Sequence, residues 1–256
     1  MIDFRKAHVL CAGPDHRSRP GGLRSRALLL AWVLALAGRA FAAEPAEVQR
    51  GLLAGNYAAV IKQTTSELKD APANTEWTML LVRALLATGK NAEADRVMKE
   101  ALVRDARSIR LRWLAREVAF ANGRPEEAVG RPNEIRRMVS DSPWMYRAPA
   151  DLVVFGRAAL SLSADPKDVL DKVFSTAQKA EPKLRDVYLA RGELALEKHD
   201  FALAAKVYEE GLKQLPEDPD LLYGRGRAYA DGNREVALGA FNAALKHNAK
   251  HVPTLL

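Results

Sequence analysis

Histidine is the side chain best suited to acid–base chemistry and metal binding near neutral pH. Only three histidines follow residue 42, at His199, His247 and His251. They form no His-Glu-x-x-His motif, and they are not spaced from carboxylates as zinc ligands are. The single cysteine, Cys11, precedes this part of the chain. The sequence therefore predicts neither a metal site nor a cofactor.

A second source of chemistry would be a glycine-rich loop or an activated serine. Gly224 and Gly226, in the string YGRGRAYADG, look like part of a phosphate-binding loop. Such a loop follows a β-strand, however, and these glycines are expected within a helix. The chain has no Gly-x-x-x-x-Gly-Lys motif and no serine in a nucleophile-elbow motif. We therefore expect a protein that is not an enzyme.

The N-terminal segment has the features of a secretory signal. Its apolar run, Ala27–Ala37, follows two arginines and is shorter than the roughly 20 residues that span a bilayer. The small-x-small pattern Ala40-Phe41-Ala42 then predicts cleavage before Ala43. We expect residues 1–42 to be a signal peptide, with export to the periplasm or beyond and no membrane span afterwards. An uncleaved anchor is the alternative.

Charge argues against nucleic acid as the partner. The whole chain has a formal net charge of +7, but its first 42 residues contain seven basic and two acidic side chains. The remainder carries 32 basic and 30 acidic residues, a net charge of +2. Nucleic-acid binding normally depends on a concentrated basic surface. No nucleic-acid partner is predicted.

The elements that must position any functional side chain recur with a fixed period. Gly55, Gly89 and Gly123 are 34 residues apart, each in a string that reads as a helix end, a turn and a helix start. Two later stretches share one spacing of small and large residues: Ala204, Tyr208, Gly211 and Ala237, Phe241, Ala244. A period of this length indicates stacked helical hairpins, because no single hairpin can bury its apolar face.

These residues resemble the tetratricopeptide repeat (TPR) family, with residues 185–218 matching best. The positions that carry the resemblance there are Tyr188, Gly192, Ala195, Ala204, Tyr208, Gly211 and Pro216. The resemblance implies an all-α solenoid of about six helix-turn-helix repeats that form a right-handed superhelix. The implied units are 41–74, 75–108, 109–142, 151–184, 185–218 and 219–251.

Local packing and capping can be predicted within this register. Gly192 is expected to face Ala204 where the two helices of its unit cross. Tyr208 and Phe241 should fill the space between successive units. Asp200 is placed to cap the helix that begins at the next residue, and Asp165 precedes Pro166 in the same way.

The array is expected to be interrupted once. Pro132 falls within a predicted helix, so that helix should stop or restart there, with Asn133 as the cap. We expect repeats over 43–142, an irregular joint at 143–150, and further repeats over 151–251. A decayed repeat with no mechanical role is the alternative to a joint.

The first helices of TPR units line a concave groove, and the resemblance implies which side chains face it. The groove is expected to be basic and aromatic in its N-terminal half and more acidic around residues 185–218. Packing between units is the alternative role for its aromatic residues. The predicted partner-binding residues are Met79, Arg83, Arg110, Trp113, Glu117, Phe120, Asp186, Leu189, Glu193, Tyr223 and Arg227, with Leu196 and Asp220 at further matching positions.

The expected function is thus an exported scaffold that binds a protein or peptide in this groove. The alternative is that the chain is the N-terminal helical segment of a larger exported enzyme, such as a metallopeptidase. Residues 252–256 match the start of a further helix that is cut short. We expect either a longer protein or a covering partner at that end.

Overall fold

The computed structural model describes residues 44–256, which consist of helices and turns with no β-strand among them. The predicted signal peptide lies outside these residues. No helix in the described part is both long and apolar enough to cross a membrane. Residues Ala43–Leu256 form one compact unit.

The described helices follow one another as six helix-turn-helix pairs, so the predicted all-α solenoid is confirmed. The pairs are α1 (Pro45–Leu53) with α2 (Tyr57–Asp70), α3 (Thr75–Ala87) with α4 (Asn91–Arg104), α5 (Ile109–Ala121) with α6 (Pro125–Asp141), α7 (Pro149–Ser161) with α8, α9 (Arg185–Glu197) with α10 (Phe201–Gln214), and α11 (Pro219–Tyr229) with α12 (Arg234–His247). Helix α8 consists of Pro166–Asp168, a π-helical turn at Val169–Phe174, and Ser175–Ala180. A 3₁₀ turn at Pro143–Met145 precedes α7, and α13 (Val252–Leu255) is a single turn.

The turns within the first five pairs each contain one residue in the left-handed conformation. The repeated glycines Gly55, Gly89 and Gly123 have φ values of 76°, 71° and 69°, which glycine adopts without a steric penalty. Ser163 and His199 take the equivalent place in the fourth and fifth pairs at 64° and 57°. The conformation of the turn is therefore kept where the glycine is replaced.

Helix starts follow the predicted caps. The Asp200 carboxylate accepts a hydrogen bond from the Leu203 amide at 3.0 Å, and the Asp165 carboxylate accepts one from the Lys167 amide at 2.8 Å. These caps satisfy amide groups that have no partner within the helix.

Aromatic rings against glycines set the spacing of the C-terminal pairs. The ring of Tyr208 lies between Gly192 and Gly224, and Phe241 lies against Gly226. Tyr208 thus fills the space between units as predicted. The atoms nearest to the open side of Gly192 are those of the Tyr208 ring, and the facing of Gly192 and Ala204 stays a prediction. Ala204 is fully buried.

The predicted break at Pro132 was wrong. Helix α6 continues from Pro125 to Asp141, and Asn133 caps no helix. Pro132 shares the buried face of α6 with Ala128 and Ile135. The spacing of these three residues matches the helical repeat, so burial of the proline ring offsets the lost hydrogen bond. The Arg131 guanidinium, moreover, pairs with Glu127 and Glu134 on either side of the proline.

The first and last pairs meet, so the solenoid closes on itself. The side-chain amide of Asn248, which is only 2% exposed, donates to the Tyr57 hydroxyl at 3.2 Å. The same side chain packs against the Gly55 turn, where an added Cβ would lie 3.1 Å from its Cγ. His251 is also buried, and its Nε2 lies 2.9 Å from a carboxylate oxygen of Asp220. The end of the sixth pair is therefore partly covered by the first pair of the same chain.

Substituting Gly192 should show that the ring contact is sterically tight. An added Cβ would lie 2.6 Å from Cε1 of Tyr208, and that ring is already held by Gly224 on its other side. We expect Gly192→Ala to lower the free energy of unfolding by about 1–3 kcal/mol in urea denaturation. Gly239→Ala is the matched control, because nothing lies within 4 Å of that position. It should stabilise helix α12 by about 0.5–1 kcal/mol, and equal effects of the two substitutions would contradict this packing.

A second glycine pair tests the closure. Gly55→Ala and Gly89→Ala introduce the same left-handed strain, but only at Gly55 would the new methyl group collide with Asn248. The chain from Ala43 onward has no cysteine, so spin labels at Lys62→Cys and Lys246→Cys can report the distance between the first and last pairs. We expect Gly55→Ala to lengthen or broaden that distance and Gly89→Ala to leave it unchanged. An unchanged distance in both variants would show that the contact does not hold the ring closed.

Candidate functional site

The first helices of the six pairs surround a central cavity of about 530 Å³. Side chains from α1 and from the segment around His251 close it on one side, as the contact between the first and last pairs requires. Ten of the eleven predicted groove residues line this cavity: Met79, Arg83, Arg110, Trp113, Glu117, Asp186, Leu189, Glu193, Tyr223 and Arg227. Residues far apart in the sequence thus share one site because equivalent helix positions face the same axis.

Phe120 does not line the cavity. Its side chain is 44% exposed, and the guanidinium carbon of Arg116 lies 4.9 Å from its ring centroid. The same guanidinium lies 5.1 Å from the ring of Trp113, so the arginine contacts both rings. Phe120 is one turn too near the end of α5 to reach the cavity.

Sequence reasoning missed the contribution of the fourth pair, which places Arg157 and Val153 in the cavity wall. The contact between Gly156 and Phe174 corresponds to that between Gly192 and Tyr208, but its residues are 18 apart instead of 16. The first helix of this pair therefore begins two residues before the assumed unit boundary. The position of Gly156, which is equivalent to that of Gly192, could have shown where the first helix of the fourth pair begins.

Ion pairs across the cavity connect helices of different units. Arg157 pairs with Glu193 at 2.6 Å, and Arg83 lies 3.8 Å from Asp186 on the opposite side of the ring. Arg110 forms a two-point pair with Glu76, with one contact at 3.1 Å. Most of the cavity's charges are therefore compensated within the protein.

A buried charge cluster lies under the wall formed by α9 and α11. Arg185 donates to the carboxylates of Asp218 and Asp220. Burial alone would lower the pKa of its guanidinium, but the charges of these aspartates raise it. Burial alone would raise the pKa of Asp220, but the hydrogen bond to His251 and the charge of Arg185 lower it to about 2. The cluster thus stays ionised and joins the segment around His251 to the wall.

Two charged side chains of the cavity have no ion-pair partner among the described residues, Glu117 and Arg227. Glu117 reaches the solvent inside the cavity from α5, but enclosure by surrounding protein raises its pKa above the ordinary value. The pKa of Asp186 is instead lowered, because Arg83 and Arg185 outweigh the effect of burial. The guanidinium of Arg227 lies 5.8 Å from the ring of Tyr223. These two uncompensated charges are available to a ligand.

The remaining wall is mostly apolar, with Met79, Leu189, Val153 and Leu53 among the lining side chains. Within residues 44–256, no group of three or more His, Cys, Asp and Glu side chains is arranged to hold a metal ion. The arrangement offers shape, apolar contact and charge, which are the requirements for binding a mixed-polarity segment.

Solved structures share this fold. The crystal structure of the Cut9–Hcn1 hetero-tetramer aligns with a TM-score of 0.53 at 12% identity, over 86% of this chain and 42% of that one. TTC0263, a TPR protein of Thermus thermophilus, aligns with a TM-score of 0.51 at 18% identity, over 70% of this chain and 93% of that one. YrrB, described as a TPR protein with an unusual peptide-binding site, aligns at 17% identity with a TM-score of 0.41, over 75% of this chain and 95% of that one. No protein-family model matches the sequence, and no curated protein does. The helix pairs, their turns and the first two alignments together show that the chain has the TPR fold.

Proposed function

We propose that this protein is an exported, non-catalytic scaffold that binds a peptide segment of a partner protein in its central cavity. The observation that carries the proposal is the convergence of ten predicted groove positions on one cavity that contains uncompensated charge. Glu117 and Arg227 are solvent-accessible on the cavity wall and have no ion-pair partner among the described residues, so each is free to pair with a ligand group of opposite charge. A segment with both a basic and an acidic side chain fits this requirement.

The size of the cavity supports a short segment as the ligand. Its volume of about 530 Å³ lies in the range of small-ligand sites and is too small for a folded domain. An extended peptide could place a few side chains against Met79 and Leu189 while its charges meet those of the wall. TPR-fold proteins also occur in protein assemblies, as the Cut9–Hcn1 hetero-tetramer illustrates.

The alternative is an accessory segment of a larger exported metallopeptidase. The described residues favour the scaffold, because the cavity and its charges are built entirely from the repeats of this chain. No feature of the cavity wall requires a neighbouring catalytic domain.

Peptides selected by display against residues 43–256 provide a direct test of cavity binding. We expect Glu117→Gln and Arg227→Gln each to weaken the selected peptides by about 10- to 100-fold, the range of a charge-assisted hydrogen bond. Affinity can be measured by fluorescence polarisation. Stability should change little, because neither side chain has an ion-pair partner among the described residues.

Two matched controls keep this test specific. Arg234→Gln and Glu126→Gln make the same chemical changes at exposed positions outside the cavity. They should leave peptide affinity unchanged. Selected peptides that lose no affinity with the cavity variants, or lose as much with the controls, would contradict binding at this site.

Export has its own test. The small-x-small pattern before Ala43 predicts that the exported protein begins within a few residues of that position. N-terminal sequencing of protein recovered from the periplasm or medium gives the answer. Protein that remains in the cytoplasm, or that is exported with an N-terminus upstream of Arg26, would contradict the signal peptide.

A further inference from the structure

A second surface, outside the cavity, consists of side chains that the proposed peptide site does not use. The turn at Pro143–Met145 exposes two large apolar side chains, with Trp144 64% and Met145 41% accessible. The next residue, Tyr146, is only 8% exposed, and its hydroxyl donates to the carbonyl oxygen of Arg107 at 3.1 Å. A buried tyrosine thus holds an exposed tryptophan in place, and none of these residues lines the cavity.

Arginines without partners are concentrated around this turn. Of the nineteen arginines in the described residues, eleven form ion pairs with Asp or Glu. Two more, Arg116 and Arg227, contact aromatic rings. Four of the remaining six flank the Trp144 turn and are exposed: Arg107, Arg136, Arg137 and Arg147. A protein that pairs most of its arginines leaves these four to solvent in one region.

The four arginines lie near the tryptophan along the chain or through the contact of Tyr146. Arg147 directly follows Tyr146, and Arg107 provides the carbonyl group that Tyr146 contacts. Arg136 lies five residues before the end of α6, which is about 7.5 Å along the helix axis. Between residues 130 and 150 the acidic residues are Glu134, which pairs with Arg131, and Asp141. The unpaired arginines of this range, Arg136, Arg137 and Arg147, therefore exceed its one unpaired carboxylate by two charges, and Arg107 lies two residues from the carboxylate of Asp105.

We propose that this patch, formed by Trp144, Met145, Arg107, Arg136, Arg137 and Arg147, docks the protein on an anionic lipid bilayer. Tryptophan favours the boundary between lipid head groups and acyl chains, where its ring is apolar and its N–H remains hydrated. Arginine forms paired hydrogen bonds with phosphate oxygens. A protruding turn inserts into a head-group layer without a matching recess, whereas a protein partner would need a complementary pocket. The patch does not depend on occupancy of the cavity.

Vesicle co-sedimentation of residues Ala43–Leu256, which form a compact unit, tests the proposal. The probes are vesicles of phosphatidylcholine alone and vesicles of equal parts phosphatidylcholine and phosphatidylglycerol. Binding is expected to the anionic vesicles and to weaken with added salt. Arg136→Gln with Arg137→Gln should lower the partition coefficient about 25-fold, from about 5-fold for each arginine near an anionic surface. Arg50→Gln with Arg234→Gln is the matched control, which removes two unpaired arginines from elsewhere and should have little effect.

Tryptophan fluorescence distinguishes insertion of the turn from general charge attraction. The emission should shift to the blue on binding anionic vesicles, and Trp144→Phe should abolish the shift while weakening binding only a few-fold. Unchanged thermal midpoints would show that the variants remain folded.

Three results would overturn the proposal. The first is equal binding to the two kinds of vesicle. The second is an equal loss of binding with the control pair. The third is binding to polyglutamate with the same arginine dependence but no binding to anionic vesicles, which would identify an acidic protein partner instead.

Discussion

The structure depends on the close approach of an aromatic ring to a glycine. Tyr208 fits between Gly192 and Gly224 because neither position has a side chain, so one ring fixes the separation of three helices in two successive units. Phe174 against Gly156 and Phe241 against Gly226 repeat the contact. The contact of Tyr208 with Gly224 joins neighbouring units, and small rotations between units accumulate along a solenoid. The curvature of the array therefore depends on the contacts between its successive helices.

That curvature brings residues separated by 191 positions into contact, at Asn248 and Tyr57. A groove that would be open along one side in a straighter array becomes a cavity ringed by the first helices of all six pairs. Enclosure changes the electrostatics, because charges that face each other at short range are poorly screened. Arg83 and Asp186 belong to units at opposite sides of the ring, yet they lie 3.8 Å apart. Arg83 and Arg157 act on both carboxylates, but burial outweighs them and raises the pKa of Glu117, whereas Arg185 and Arg110 add to them and lower the pKa of Asp186.

The sequence predicted the repeating elements and the facing positions well, because both follow from local periodicity. Predictions from the sequence were wrong where packing between helices overrode the preference of a single residue or a fixed repeat length. Pro132 should end a helix by its backbone chemistry, but its ring is buried with Ala128 and Ile135. The first helix of the fourth pair was placed two residues out of register, because Gly156 and Phe174 are separated by extra residues that include a π-helical turn at Val169–Phe174. The closure was not predictable, because it depends on the summed rotation of all six units.

Charged side chains that stabilise the fold differ from those at the two candidate binding surfaces, because the former have ion-pair partners. Where a charged side chain supports the fold, it has a partner: Arg185 pairs with two aspartates, and Arg131 bridges the two sides of Pro132. Arginines without a carboxylate partner include Arg227 in the cavity and the four near the Trp144 turn. All of these side chains are solvent-accessible, but Glu117 and Arg227 are held on the wall of a cavity, whereas the four arginines lie on the outer surface. The cavity is therefore expected to bind a charged ligand selectively, because compensation of Glu117 or Arg227 needs a group at a fixed position. The Trp144 patch needs only a surface of opposite charge, so its binding should tolerate many lipid arrangements and respond strongly to salt.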